Sequence, residues 1–252
     1  MIIDSLVYLG TSHFGYSLEL PAATAQLDAL GTDAAIAVPV HPHSHDFPAA
    51  NDLVLKAADS SGGRVTALAR VDPWEGPAAL AEIRRAAAAG AKGLFLHPSE
   101  EHFQITDTER ARPLIECAAS LGLPVMIAAG YHLFAEPLQL GHVSRWAPEI
   151  PFVLTNGGQF NISGGAQFDA LLALRNPNVH VQTSAMYRED YLEKVVADYG
   201  PERLLYASGV PAFSMVYERK RADFAHFSGS ERALILGGNA ARVFGLEDQH
   251  GR

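Results

Sequence analysis

Residues 1–10 read MIIDSLVYLG, a short apolar stretch that ends in a glycine. Its β-branched residues Ile2, Ile3 and Val7 are typical of a buried strand. Helical and strand-like patterns alternate through the rest of the chain, and such alternation indicates a parallel sheet covered by helices. This first stretch therefore predicts the opening strand of an α/β fold.

Seven more apolar segments of strand length follow, and helical patterns separate them. We predict strands at residues 1–10, 33–39, 64–71, 91–96, 124–129, 151–155, 179–183 and 203–207. We predict helices at residues 21–30, 49–60, 76–89, 108–121, 138–146, 166–174, 191–199, 214–226 and 230–246. A (β/α)8 barrel typically has ~250 residues, and this chain has 252. The fold prediction is a single (β/α)8 TIM barrel, with residues 1–252 as one domain.

The composition argues against several classes of function. The net charge is −9 without a basic stripe, so nucleic acid is not the expected partner. No apolar run approaches the ~18 residues of a membrane span, and no charged-then-apolar leader precedes the first strand. The single cysteine, Cys117, cannot form an internal disulfide. We therefore predict a cytoplasmic protein without a membrane partner.

Phrases along nearly the whole chain resemble the amidohydrolase-related family of metal-dependent hydrolases and decarboxylases. They include ARVDP at 69–73, GAKGLFLHP at 90–98 and GPERLLYASGVP at 200–211. The resemblance implies an amidohydrolase-like barrel with its active site at the carboxyl ends of the strands. It also implies metal ligands there: His-x-His on strand one, a histidine after strand five, another after strand six, and an aspartate after strand eight.

Other residues occupy all five of these positions in this chain: Leu6, Tyr8, Ala128, Asn156 and Gly209. Leucine, alanine and glycine side chains have no ligand atoms, and a tyrosine binds a metal only as phenolate. A catalytic divalent ion typically needs three or more protein ligands. We therefore expect a dismantled metal site, no cofactor, and a hydrolytic mechanism that does not run in the form the family uses.

Several polar residues near the predicted strand ends remain candidates for chemistry. We predict that His97, Tyr8 and Asn156 are catalytic, with His97 as acid, base or hydrogen-bond donor. The alternative for His97 is a histidine whose ring is bonded to backbone. The predicted substrate-binding residues are Arg70, Asp72, Tyr131, His132, Tyr187 and Ser208. Arg70 either binds a substrate carboxylate or forms a buried pair with Asp72.

A histidine-rich loop follows the second predicted strand. His41, His43 and His45 alternate along it, and His13 lies in the loop after strand one. Alternate positions of an extended segment share a side, so this loop is a candidate for a relocated metal site. The alternative is an ordinary solvated loop.

Three functions follow from these patterns. The favoured one is a non-hydrolytic pseudoenzyme that acts by associating with a partner. The expected assembly is a homo- or hetero-oligomer, and a metal-binding paralogue is one such partner. The second is a metal-independent hydrolase or lyase that binds a small molecule in a rebuilt pocket, carboxylate-bearing if Arg70 contacts it. The third is a metal hydrolase with a relocated histidine site. A strand-end pocket packed solid would exclude the second.

Overall fold

The computed structural model describes residues 1–158, 166–186 and 188–246. Its strands are β1 (Ile3–Thr11), β2 (Ser17–Leu18), β3 (Ala34–Pro39), β4 (Val65–Ala67), β5 (Ala69–Arg70), β6 (Leu94–Leu96), β7 (Val125–Ile127), β8 (Phe152–Leu154), β9 (Val179–Gln182) and β10 (Leu204–Leu205). β2 pairs with β1 in antiparallel orientation, and the other strand pairings are parallel. β4 and β5 lie on either side of Leu68 and together occupy one position in the ring.

Backbone hydrogen bonds close these strands into a barrel. The sheets have the orders β2-β1-β3-β4 and β10-β9-β8-β7-β6-β5. The Leu68 N–H donates to the Ala37 carbonyl at 2.9 Å, which joins the two sheets at β4 and β5. At the opposite edges of the two sheets, the segment after β10 bonds to β1: the Gly209 N–H donates to the Leu6 carbonyl at 2.9 Å. The predicted (β/α)8 barrel is therefore confirmed.

Helices follow the barrel strands in the predicted order. They are α1 (Leu20–Ala29), α2 (Phe47–Ser60), α3 (Pro77–Ala88), α4 (Ala111–Ser120), α5 (Pro137–Val143), α6 (Ala166–Ala173), α7 (Glu189–Tyr199), α8 (Met215–Phe224), α9 (Gly229–Ala233) and α10 (Asn239–Val243). A proline lies in the first turn of α1, α2, α3 and α5, where its missing N–H breaks no helical bond. None of the helices within the described ranges is long and apolar enough to cross a bilayer.

Alternation along the strands separates two apolar layers. In β6, Leu94 and Leu96 belong to the core cluster between strands and helices. Phe95, between them, points the other way and belongs to a second cluster with Met126 and Val153. These three residues are register partners on β6, β7 and β8. They therefore form a layer inside the barrel, below the carboxyl ends of the strands.

A hairpin at the end of β1 departs from the prediction. The segment after Gly10 was expected to be a loop, but β1 continues to Thr11 and pairs with β2 through Gly10↔Leu18 and Thr11↔Ser17. The turn residues between the strands include Tyr16, whose carbonyl accepts the Ser12 N–H at 2.8 Å. The hairpin thereby holds Tyr16 next to the carboxyl end of the barrel.

Candidate functional site

An open cavity of about 230 Å³ lies at the carboxyl ends of the strands, where (β/α)8 enzymes carry their active sites. Its lining residues are Leu6, Tyr8, Tyr16, His97, Glu100, Tyr131, Asn156, Ala212 and Phe213. The three residues predicted to be catalytic therefore share one cavity, and Tyr131 of the predicted substrate-binding set joins them. The cavity is not packed solid by the side chains at the strand ends.

Glu100 brings a carboxylate into this cavity. The Tyr16 hydroxyl donates to Glu100 Oε1 at 3.2 Å, and His97 Nε2 lies 3.7 Å from the same oxygen. Burial opposes ionisation of Glu100, but the charge of Arg70 and its hydrogen bond to Glu100 outweigh it and hold the pKa of Glu100 below its usual value. Glu100 is therefore an anion at neutral pH.

His97 is held as a neutral hydrogen-bond donor. Its Nδ1 accepts the Glu100 backbone N–H at 3.2 Å, so the proton of the neutral ring lies on Nε2. Burial lowers the pKa of His97 to about 4, against the opposing effect of the Glu100 carboxylate. The ring is therefore uncharged at neutral pH and presents Nε2–H rather than a basic nitrogen.

Phenol groups form much of the remaining wall. The Tyr8 ring packs edge-on against Tyr16 and Phe95, with centroids 6.0 and 5.8 Å apart, and the Tyr131 ring lies 5.0 Å from the His97 ring. Burial raises the pKa of Tyr8 above its usual value and that of Tyr131 to about 12, so both phenols stay protonated. The Tyr8 hydroxyl forms no hydrogen bond to another described residue.

Arg70, predicted to bind a substrate carboxylate or to pair with Asp72, pairs with Glu100 and Glu101 rather than with Asp72. Its side chain is fully buried, and its Nε donates to Glu101 Oε1 at 2.9 Å while Nη1 donates to the Pro39 carbonyl at 3.1 Å. Nη2 donates to both Glu100 and Glu101. Every guanidinium nitrogen therefore has a protein acceptor, so the predicted pair with Asp72 is wrong, and Arg70 holds Glu100 in place.

Three other predicted substrate-binding residues lie outside the cavity lining. Asp72 caps the turn that follows β5 by accepting the Trp74 N–H at 2.9 Å. His132 is exposed, and its Nδ1 lies 2.7 Å from Glu136. Ser208 is fully buried, and its hydroxyl accepts the Val210 N–H at 3.1 Å. Tyr187 lies outside the described residues.

The histidine-rich loop is packed ring against ring. His41 is buried, and its ring centroid lies 4.8 Å from that of His45 and 5.9 Å from that of His13. His43 and His45 are exposed. Within the described ranges, no group of three or more histidine, cysteine or acidic side chains is arranged to hold a metal ion. The geometry therefore does not favour a relocated metal site on this loop.

The sequence matches the profile of the amidohydrolase family over residues 8–246. The chain belongs to the amidohydrolase family. A comparison with functionally curated proteins gives no match.

Solved structures resemble this amidohydrolase-family chain over nearly its whole length. A Pseudomonas putida protein assigned as a 2-pyrone-4,6-dicarboxylic acid hydrolase has 20% identity and a TM-score of 0.79, covering 98% of each chain. A 2,6-dihydroxybenzoate decarboxylase from Rhizobium has 15% identity and a TM-score of 0.78, covering 98% of this chain and 99% of the other. A 5-carboxyvanillate decarboxylase from Novosphingobium aromaticivorans, complexed with manganese and a nitrobenzoic acid, has 15% identity and a TM-score of 0.77, covering 97% and 96%. At these identities the likeness shows the fold alone.

The five positions expected to carry the family's metal ligands do not fit a metal ion. Leu6 and Ala128 present hydrocarbon, and Tyr8 presents a phenol whose pKa burial raises further. The Asn156 Nδ2 donates to the Ala129 carbonyl at 3.3 Å, and its Oδ1 lies 3.4 Å from the Ser184 hydroxyl. Ala128 and Gly209 lie outside the cavity lining. Such a donor set cannot replace the three or more ligands that a catalytic divalent ion requires.

Phe213 occupies the space that a side chain on Gly209 would need. A Cβ placed on Gly209 would lie 2.9 Å from the Phe213 ring, and the glycine has φ +66°. Phe213 itself lines the cavity. Both backbone conformation and packing therefore disfavour an aspartate at the strand-eight position.

Sequence reasoning missed Tyr16, Glu100 and Phe213 as cavity residues. Glu100 had a usable signal, since it follows His97 by three residues across Pro98, and the Glu100 N–H bonds the His97 carbonyl at 3.0 Å in a turn. Tyr16 depends on the unpredicted hairpin. Phe213 follows a loop whose path is set by closure of the barrel, so no local pattern indicates its position.

Proposed function

We propose that this chain is a metal-independent enzyme that binds a small polar molecule in its strand-end cavity and catalyses proton transfer on it, as a hydrolase or a lyase. One observation carries the proposal. The cavity is open, and at the place where the family's chemistry would occur it groups a carboxylate, an imidazole N–H and phenols. A polypeptide that used the barrel only as a scaffold would have no need of such a group of polar side chains around an open space.

The roles of the side chains follow from their protonation states. Glu100 is ionised and is the proton acceptor. His97 Nε2–H and the Tyr8 hydroxyl are donors that stabilise negative charge as it develops on a substrate oxygen. Partial burial strengthens these interactions compared with water. Asn156 lines the cavity without a role in proton transfer, because its amide is hydrogen-bonded to Ala129 and Ser184.

Substrate screening in the presence of a chelator tests this proposal. The full chain, treated with EDTA, is assayed against panels of small esters, lactones and hydroxy compounds. We expect turnover that survives EDTA and that falls by roughly 10²–10⁴ in kcat in Glu100→Gln. The matched control Glu75→Gln changes an exposed glutamate that does not line the cavity, and it should retain full activity. Activity that disappears on chelation and returns with a divalent metal would overturn the proposal.

Association with a partner protein is a second candidate, favoured by the surface of α8. Val216, Tyr217 and Phe224 are 50, 59 and 74% exposed. Tyr217 and Phe224 are seven residues apart and therefore lie on the same face of the helix. Light scattering of the wild type and of Tyr217→Ser with Phe224→Ser tests this candidate. A monomer in both, at all concentrations, would count against self-association, and co-expression with an active paralogue tests the hetero-oligomer.

A further inference from the structure

The electrostatic character of the cavity wall limits what the cavity binds. Glu100 is the one carboxylate among its described lining residues, and none of these residues is a lysine or an arginine. The His97 ring is neutral. One oxygen of Glu100 is held by Arg70, and the other, Oε1, receives the Tyr16 hydroxyl at 3.2 Å on the cavity side. The charge that a ligand meets at this wall is therefore negative.

Arg70 does not reverse this charge. Its side chain is fully buried behind the wall, and its nitrogens are engaged by Glu100, Glu101 and the Pro39 carbonyl. Turning the guanidinium toward a ligand anion would leave two buried carboxyl groups without their partner, which is strongly unfavourable. A carboxylate in the cavity would meet Glu100 without a compensating cation among the described lining residues.

Aromatic rings surround the Glu100 carboxylate. Tyr8, Tyr16 and Tyr131 line the same cavity, and the Tyr8 and Tyr16 rings meet edge-on with an interplanar angle of 68°. The faces of such rings carry partial negative charge and attract cations. The cavity volume of about 230 Å³ suits a single small molecule, since a cavity of ~150 Å³ holds benzene.

We infer that this cavity selects small protonated amines over carboxylates, with the ammonium group between Glu100 and the tyrosine rings. This inference rests on the proposed function, because it names the ligand class of the same cavity. It also replaces the expectation of a carboxylate-bearing substrate, which depended on Arg70 reaching the ligand.

Three probes of similar size and different charge test the inference. Benzylamine is a cation at neutral pH, benzyl alcohol is neutral, and benzoate is an anion. Each is titrated calorimetrically into the full chain at pH 7 in EDTA, at low and at high salt. We expect benzylamine to bind about tenfold more tightly than benzyl alcohol, the effect of one favourable charge contact, and benzoate not to bind measurably. High salt should reduce the difference between amine and alcohol.

Variants locate the effect in the cavity. Glu100→Gln should bind the amine and the alcohol equally, while Glu75→Gln, outside the cavity lining, should behave as wild type. Because Glu100 also bonds Arg70, a second pair keeps the test valid if that variant is unstable. Tyr16→Leu should weaken amine binding several-fold, and Tyr16→Phe, which keeps the ring, should retain most of it.

The outcomes separate this inference from the proposed function. Equal binding of benzylamine and benzyl alcohol would overturn the amine preference while leaving a ligand-binding cavity in place. Binding of benzoate as tightly as the amine would also overturn it. Failure of all three probes to bind, with the cavity resonances unshifted in NMR spectra, would overturn both the inference and the proposed function.

Discussion

Arg70 lies behind the wall of the cavity and binds two carboxyl groups from consecutive positions, Glu100 and Glu101. Its Cζ also lies 5.4 Å from the centre of the Phe95 ring in the barrel interior. An arginine at the end of a strand indicates a charge near the active site, but the sequence does not show whether that charge faces a ligand or the protein. Here the charge faces the protein, because Arg70 is bound by two glutamates that both follow His97 in the next strand-end loop.

Removing the Arg70 guanidinium should destabilise the fold strongly. Arg70→Met would leave Glu100 and Glu101 without their cation, and we expect the free energy of unfolding to fall by about 3–5 kcal/mol. Arg112→Met is the matched control, since Arg112 forms an exposed pair with Glu116, worth ~0–1 kcal/mol. Urea denaturation measures both. Similar losses in the two variants would contradict the role assigned to Arg70.

Asp4 is a second buried charge with a definite pH signature. Its Oδ1 accepts the N–H groups of Ser208 and Leu6, at 2.8 and 3.2 Å, while its buried Oδ2 has no partner within the described part of the chain. Burial raises the pKa of Asp4 to about 6, from 3.8, against the opposing effect of these hydrogen bonds. The protonated form is therefore favoured in the folded state, and that stabilisation is lost as pH rises through about 6.

Asp4→Asn should remove the loss of stability that ionisation of Asp4 causes as pH rises. The variant keeps an oxygen for the two N–H donors and never ionises. Relative to wild type, its free energy of unfolding should increase between pH 4 and pH 7 by at most roughly 3 kcal/mol, the equivalent of two pKa units, and change little above that. Urea denaturation of both proteins at several pH values measures the difference. A difference that stays constant across this range would show that Asp4 titrates normally.

At the scale of elements, the loop after β10 and the turn after β1 each contribute an aromatic residue to the cavity lining. Phe213 comes from the first and Tyr16 from the second. Strand and helix positions could be predicted because burial imposes regular spacing on apolar residues, as in β6, where Phe95 alternates with Leu94 and Leu96. Phe213 and Tyr16 follow no such spacing, because Tyr16 lies in a hairpin turn and Phe213 in a loop after the last strand.

Placing an aspartate at Gly209 should destabilise the fold because Phe213 fills the space that its side chain would need. Gly209→Asp combines a left-handed backbone at φ +66° with a contact at 2.9 Å, so we expect a loss of about 3 kcal/mol or more in stability. Gly62→Asp is the matched control: it has φ +64° with open space where a side chain would lie, and it should lose only the backbone part, about 1–2 kcal/mol. Adding Phe213→Ala to Gly209→Asp should recover part of the loss. Thermal unfolding that ranks the two aspartate variants equally would contradict the packing argument.

At the scale of the whole molecule, the barrel was the most predictable feature and the chemistry of its centre the least. Eight apolar segments at regular intervals predict the closed sheet, and the cavity position follows from that fold. The sequence also placed Tyr8, His97 and Asn156 at the strand ends, where they line the cavity. It could not show that Arg70 turns away or that Glu100 faces inward, because both depend on packing between loops distant in sequence.

The strand-end cavity is proposed to work without a metal ion, and metal content tests this most directly. The full chain is purified without a histidine tag from medium supplemented with zinc and manganese, and its metal is measured by mass spectrometry. A His43→Ala, His45→Ala variant is measured in parallel, to account for ions on the exposed histidine loop. We predict far less than one metal ion per chain in the variant and an unchanged melting temperature in EDTA. One tightly held divalent ion per chain in the variant, with EDTA lowering the melting temperature, would contradict a metal-independent cavity.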